Sequence, residues 1–362
     1  MSTKPFLRTV ARKNRSVIPI VILTVIILTS CAEAKSYEWN KEAHYPLIGI
    51  STNLPQGAKP DRLGYEILDT RKYGVNFIYL SFKWSEVDAA AAAKPNLNNY
   101  RKFLEALSPY GFKFLITIQT IDTNNKTLPA DLMNVPFDSP EMISRFDTLL
   151  DKLVKIAPDN VKWVSLGNEV DVYLRQHPNE ISPFMKLMRH ATITLHRLKP
   201  KLQVGVTCTY SGASEDPSLF DQINQYSDFI SLTYYPLNPD FTVRPISVIP
   251  VDFQNMARLA GRKRIILQEA GYPASPLLNS SEVKQAEFVN SIFTCAKKYS
   301  RQFIGVNFFL LYDFGDTITN SLLKYYRVPD PRFRAYLATL GLHKADGAAR
   351  KAWLRFKKGY SG

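Results

Sequence analysis

Trp163-Val164-Ser165-Leu166-Gly167, followed at once by Asn168-Glu169, is a short apolar run that stops on a polar pair. A run of this length suits a strand buried on both faces, the condition of a parallel sheet covered by helices. The pattern recurs in both directions along the chain. Strands are predicted at Leu47 to Ser51, Phe77 to Phe82, Phe114 to Ile118, Trp163 to Gly167, Gln203 to Thr207, Phe229 to Thr233, Arg264 to Gln268 and Ile304 to Phe309. Between them, apolar residues return at the helical period. Phe184, Leu187, Met188, Ala191, Leu195 and Leu198 form one stripe, and Ile143, Phe146, Leu150 and Leu153 another. Ser280 and Ser281 before Glu282 predict a capped start for the seventh helix, and the last helix is expected over Gly347 to Phe356. Eight strand-helix units predict an α/β fold, a single (β/α)₈ TIM barrel over residues 45–358, rather than a doubly wound sheet. No glycine-rich phosphate loop follows the first strand.

In such a barrel the loops after the strands build the working face. The predicted fourth strand leads into Gly167-Asn168-Glu169 and the seventh into Gln268-Glu269-Ala270-Gly271-Tyr272-Pro273, so each places a glutamate at its C-terminal end. Strands four and seven face each other across the barrel mouth, which permits two carboxylates with a sugar-sized gap between them. Cleavage of a glycosidic bond with retention needs one carboxyl that donates a proton to the leaving oxygen. It needs a second, ionised one, about 5 to 5.5 Å away, that attacks the anomeric carbon. Asn168 is placed to hydrogen-bond the neighbouring sugar hydroxyl, and Tyr235, from Thr233-Tyr234-Tyr235-Pro236, to donate to Glu269 and favour its charged form. The plainer alternative is that each glutamate only sits near a helix N-terminus, where negative charge is stabilised by about 0.3 to 1 kcal/mol.

Gly167-Asn168-Glu169, Tyr234-Tyr235-Pro236 and Gln268-Glu269 together resemble clan A of the glycoside hydrolases, and the Tyr-Tyr-Pro element is loosely similar to arabinogalactan endo-galactanases. Gly341-Leu342, Asp346-Gly347 and Lys351-Ala352-Trp353 extend the resemblance over nearly the whole chain after the leader. The resemblance implies Glu169 as acid/base and Glu269 as nucleophile, a β-linked oligo- or polysaccharide substrate and no cofactor. It also shows departures. Many clan members carry an Arg near the end of strand two, a His near strand three and a Trp on strand eight, where this chain has Lys83 with Trp84, Gln119, and Asn307 to Leu311 without Trp. Trp84, Gln119 and Tyr312 are therefore candidate substrate contacts, with Phe309 a further candidate sugar platform. Two insertions, Leu237 to Pro250 and Tyr312 to Asp330 with Tyr325 and Tyr326, are candidate cleft walls. A non-catalytic carbohydrate-binding envelope lipoprotein and a transglycosylase using the same two glutamates are the alternative readings.

Other chemistries have less support. The five histidines fall on none of the predicted strand ends, no His-Glu-x-x-His or Cys/His cluster suggests zinc or another metal, and no nucleophile elbow is present. Residues 1–30 have the pattern of a signal peptide. Lys4, Arg8, Arg12, Lys13 and Arg15 precede an apolar run from Val17 to Leu28 that is too short to span a bilayer comfortably. Leu28-Thr29-Ser30-Cys31 resembles a bacterial lipobox, which implies lipidation of Cys31, a linker over residues 31–44 and a cell-envelope location. That location would be the outer membrane in a Gram-negative host; a secreted or periplasmic soluble protein is the alternative. Cys208 and Cys295 are expected to be buried and unpaired. The net charge of +14, or +9 without the leader's five basic residues, comes from scattered Lys and Arg with no run of five; a monomer without nucleic-acid partners is expected.

Overall fold

The structure is a computed structural model and describes residues 46–88 and 97–359; the leader, Cys31 and the alanine run Ala89 to Ala93 lie outside them. The strands are Leu47–Ile50, Phe77–Lys83, Lys113–Gln119, Val161–Ser165, a fifth in two segments, Gln203–Gly205 and Thr207–Thr209, then Phe229–Tyr234, Arg264–Ala270 and Phe303–Phe308. These eight pair in parallel, each with its neighbours in the chain, and the first pairs with the eighth; a separate antiparallel pair, Ile121–Asp122 with Asn125–Lys126, follows the third. The fifth closes the circuit by changing partner. Its first segment pairs with the fourth strand at Ser165↔Gly205, and its second with the sixth at Thr207↔Ser231. The result is the TIM-barrel fold.

The strands form because their side chains face two apolar environments at once. Phe77, Leu115, Trp163, Phe229, Ile266 and Ile304 fill the floor of the barrel interior. The opposite faces, such as Phe114, Ile116 and Ile118 of the third strand, pack under the helices. The two expected stripes lie on helices Ile181–Leu198 and Pro140–Ile156 and supply much of that outer layer. Ser281 caps helix Glu282–Lys298 by accepting from Lys284 N at 3.2 Å. The last helix begins at Lys351 rather than Gly347, because Gly347 adopts φ +92° in a turn where Lys344 N bonds Ala348 O.

Above the apolar floor the barrel interior turns polar. Thr117 and Thr207 place their hydroxyls 2.6 and 2.8 Å from Gln268 Oε1, Ser165 and Thr207 are 2.7 Å apart, and Asn307 Nδ2 donates to Gln268 O at 2.9 Å. Gly49 makes room for this layer, since a Cβ there would stand 2.6 Å from Asn307 Oδ1. Most of these buried polar groups are hydrogen-bonded, Asn307 Oδ1 being without a partner among the described residues, and together they form a polar platform beneath the mouth of the barrel.

The second insertion folds as helix Asp316–Tyr326, followed by helix Pro331–Leu337. It has its own small core, with Leu310, Phe314, Leu322, Phe333, Leu337 and Leu340 packed together against Tyr235, Phe309 and Tyr336. Among the described residues, no helix is long and apolar enough to cross a membrane.

Candidate active site

Two local departures from regular geometry bring the glutamates to the mouth. Adjacent strand residues point to opposite faces, so Gln268 and Glu269 cannot both serve the interior of a regular strand. A register shift between Leu267 and Glu269, opposite Leu232 and Thr233, releases that constraint. Gln268 joins the polar layer and Glu269 opens into the cleft. On the fourth strand Gly167 takes φ +123° and Glu169 itself φ +49°. A non-glycine residue in the left-handed region costs on the order of 1 to 3 kcal/mol, and here it aims the carboxylate inward. The short helix Val170–Gln176 starts immediately after Glu169, yet the Glu169 side chain does not cap it. Residues 271–275 beyond Glu269 are not helical either. The helix-end explanation therefore holds for the position of Glu169, which stands at a helix N-terminus without capping it, and not for Glu269.

Those contacts converge. Thr233 Oγ1 donates to Glu169 Oε1 at 2.6 Å, and Thr123 Oγ1 to Oε2 at 2.7 Å. Tyr235, two residues beyond Thr233 and one past the end of its strand, donates its hydroxyl to Glu269 Oε2 at 2.6 Å. Asn168 receives Gln268 Nε2 at 2.7 Å and donates to Asp122 Oδ1 at 3.1 Å. Asp122 also accepts from Gln119 Nε2 at 3.3 Å and from the Tyr325 hydroxyl at 2.7 Å. The cleft that these residues share has a volume of about 460 Å³.

Burial raises both carboxyls. Glu169 is pushed up to about 7, against the two threonine hydroxyls that favour its ionised form. Glu269 is pushed up to about 8, first by burial and then by the charge of Glu169, with Tyr235 opposing. The two titrate as a coupled pair, so near neutrality the pair holds one proton that two separate exposed glutamates would have lost.

The expected contacts divide. Asn168, Gln119, Tyr235, Phe309, Glu169 and Glu269 all line the cleft. Trp84 does not: it is 0% exposed, packs against Phe146 with ring centroids 4.8 Å apart, and donates Nε1 to Asp88 Oδ2 at 3.3 Å. It lies one residue beyond Lys83, the end of the second strand, and so falls on the helix side of the barrel wall. Tyr312 also turns away, stacking near His343 and donating its hydroxyl to Glu66 at 2.8 Å. Tyr326 lines the cleft, while the Lys83 ammonium sits 3.8 Å above the Tyr325 ring. The first insertion buttresses that wall through Phe241, against Phe333 and Tyr336.

Asp122, Thr123, Thr233, Tyr79 and Tyr336 were not singled out in the sequence. Thr233 directly precedes the Tyr-Tyr-Pro element, and Asp122-Thr123 closely follows the third strand, so position at strand ends was an available signal for both. Among the described residues no group of three or more His, Cys, Asp or Glu is arranged to hold a metal ion.

No protein-family model matches the chain, and no curated protein is similar to it in sequence. Solved structures are similar in fold. An exo-β-1,4-mannosidase from Opitutaceae bacterium strain TAV5 aligns with a TM-score of 0.63 at 15% identity, over 87% of this chain and 59% of that one. GH5_18 from Streptomyces cattleya in complex with Manβ1-4GlcNAc aligns with a TM-score of 0.62 at 15% identity, over 86% of this chain and 79% of the other. A β-glucuronidase from Bacteroides uniformis aligns with a TM-score of 0.61 at 11% identity, over 87% of this chain. The chain spans 35% of that glucuronidase and 59% of the mannosidase. At these identities the likeness establishes a shared barrel fold.

Proposed function

We propose that the chain is a retaining glycoside hydrolase acting on a β-linked sugar, with Glu169 as acid/base and Glu269 as nucleophile. One observation carries this reading: two carboxyls from opposite sides of the barrel enter one cleft and are held by Thr233 and Tyr235, two residues of a single segment between them. In the first step Glu169 gives its proton to the leaving oxygen while Glu269 attacks the anomeric carbon. In the second, Glu169 removes a proton from water, which displaces Glu269 from the sugar. Burial keeps a proton on the pair near neutrality, as the first step requires; the free protein holds it more tightly on Glu269 than on Glu169, so substrate binding must move it to Glu169. The three solved structures supply fold-level support, being a β-glucuronidase, an exo-β-1,4-mannosidase and a complex with Manβ1-4GlcNAc.

Charge narrows the substrate. Glu86, Asp122, Glu169 and Glu269 line the cleft, and Lys83 is its one cation among the described residues. A uronate carboxylate would meet net negative charge, so a neutral sugar is favoured at the carboxylates. The same reading keeps residues 1–30 as a lipoprotein leader with Cys31 as the anchor. Cys31→Ser should abolish labelling by radioactive palmitate, and persistent labelling would remove that part of the proposal.

The direct test is turnover on a panel of neutral β-glycans. Glu169→Gln and Glu269→Gln are each expected to lower kcat/KM by at least a thousandfold with unchanged circular dichroism. Hydrolysis near the wild-type rate by either variant refutes the assignment.

A further inference from the structure

The cleft does not end at the barrel mouth. Its lining continues past the carboxylates to Ile50, Leu63, Ile67, Ile78, Leu80 and Phe103. Ile78 and Leu80 belong to the face of the second strand that packs toward the helices, whereas Tyr79 and Ser81, which also line the cleft, alternate with them. One continuous space therefore reaches both faces of this strand.

The sheet explains how. The second strand pairs with the third at seven consecutive positions, but with the first at Gly49↔Phe77 alone. The first strand instead follows the eighth through Leu47 to Ile50, and Ser51 N bonds Phe308 O at 2.9 Å. Beyond Gly49 the first two strands part, and the gap opens toward helices Leu63–Arg71 and Leu97–Leu107. The accessible surface agrees. Ile78, Leu80 and Phe82 keep 8%, 4% and 2% exposure, and Phe103 of the facing helix 9%, while Phe114, Ile116 and Ile118, the equivalent face of the third strand, keep 0%, 1% and 0%.

Resting on the glycosidase reading, we propose that this recess binds the aliphatic part of an amphiphilic substrate: a neutral β-glycoside whose aglycone is an unbranched alkyl chain, with the sugar at Glu169 and Glu269. The recess has apolar walls and its mouth is acidic. Sugars alone would gain little from a wall of Ile, Leu and Phe, whereas burying methylene groups there is favourable. A free fatty acid would bring one more carboxylate to a mouth that already holds Asp122, Glu169 and Glu269, so the uncharged head group of a glycoside fits better.

The experiment uses methyl, hexyl and dodecyl β-glycosides of glucose, galactose and mannose, kept below their micelle concentrations. Binding is read by calorimetry on the full chain, and turnover in parallel. For a sugar that is accepted, affinity should rise by up to about fourfold per methylene until the recess is full. Ile67→Trp, which fills the recess, should lower the dodecyl-to-methyl affinity ratio at least tenfold. Phe103→Ala, which enlarges it, should raise that ratio for dodecyl relative to hexyl. Equal affinity for methyl and dodecyl glycosides, or chain-length dependence that neither variant changes, overturns the proposal. Turnover without chain-length dependence would leave the glycosidase reading intact and sink this one. Chain-length-dependent binding that responds to both variants, without turnover of any glycoside, would do the reverse.

Discussion

The two glutamates are costly residues to fold. Each binds its proton more tightly in the folded chain than the ordinary value of 4.5, Glu169 to about 7 and Glu269 to about 8. The folded state therefore carries more protons than the unfolded one between roughly pH 4.5 and pH 8, and its stability falls as pH rises through that window. Glu269→Gln should unfold at a higher temperature than the wild type at pH 8, by on the order of 2 kcal/mol of stability, with the difference vanishing toward pH 4.5. A thermal melt at both pH values checks this, and a gap that widens toward acid contradicts it. The proposed mechanism needs one proton between the two carboxyls, so it predicts that kcat/KM peaks between about pH 7 and pH 8 and falls on either side. Tyr235→Phe removes the hydroxyl that favours ionised Glu269. Its acid limb should move to higher pH and kcat should fall about a hundredfold, as read from a pH-rate profile.

Single elements explain what could be read in the sequence and what could not. Strand positions were legible because each strand is an apolar run wedged between floor and helix layer; seven of the eight begin within two residues of expectation and run unbroken, and the fifth divides at Val206. Glu169, Glu269, Asn168 and Tyr235 were legible because the ends of barrel strands form the working face. Trp84 and Tyr312 were misplaced because facing is set by details a one-dimensional pattern does not carry, namely where the strand ends and which way the next turn rotates. The irregularity at Leu267 to Glu269 and the left-handed Glu169 are tertiary solutions of the same kind. Gly167 offers a test at this scale. Its φ of +123° and the 2.4 Å approach that a Cβ would make to Val170 Cγ1 leave no room for a side chain. Gly167→Ala should cost about 1 to 3 kcal/mol in denaturant unfolding and displace Glu169, lowering kcat more than it raises KM. Unchanged stability and rate would show that this turn does not position the carboxylate.

At the scale of the molecule, a basic chain carries an acidic cleft, so the sign of the surface says little about the substrate. The start of the second insertion and the residue before the C-terminal helix are tied to each other by the buried ion pair Asp313 with Arg350, supported by Gly341 N donating to Asp313 at 2.8 Å. Burial outweighs Arg350 and raises the Asp313 carboxyl to about 7, so above that pH, where the carboxylate is ionised, Asp313→Asn should destabilise the fold by about 3 to 5 kcal/mol, because the Arg350 charge is left buried without its partner. That figure too is open to denaturant unfolding, and a loss below about 1 kcal/mol would contradict it. All of the functional account depends on Glu269 forming a bond to sugar. The most direct measurement is mass spectrometry of peptides after reaction with activated 2-fluoro β-glycosides of gluco, galacto and manno configuration. The account predicts a single added sugar on the peptide containing Glu269, absent in Glu269→Gln. Attachment to Glu169 or to another residue, or no attachment from any of the three, contradicts it.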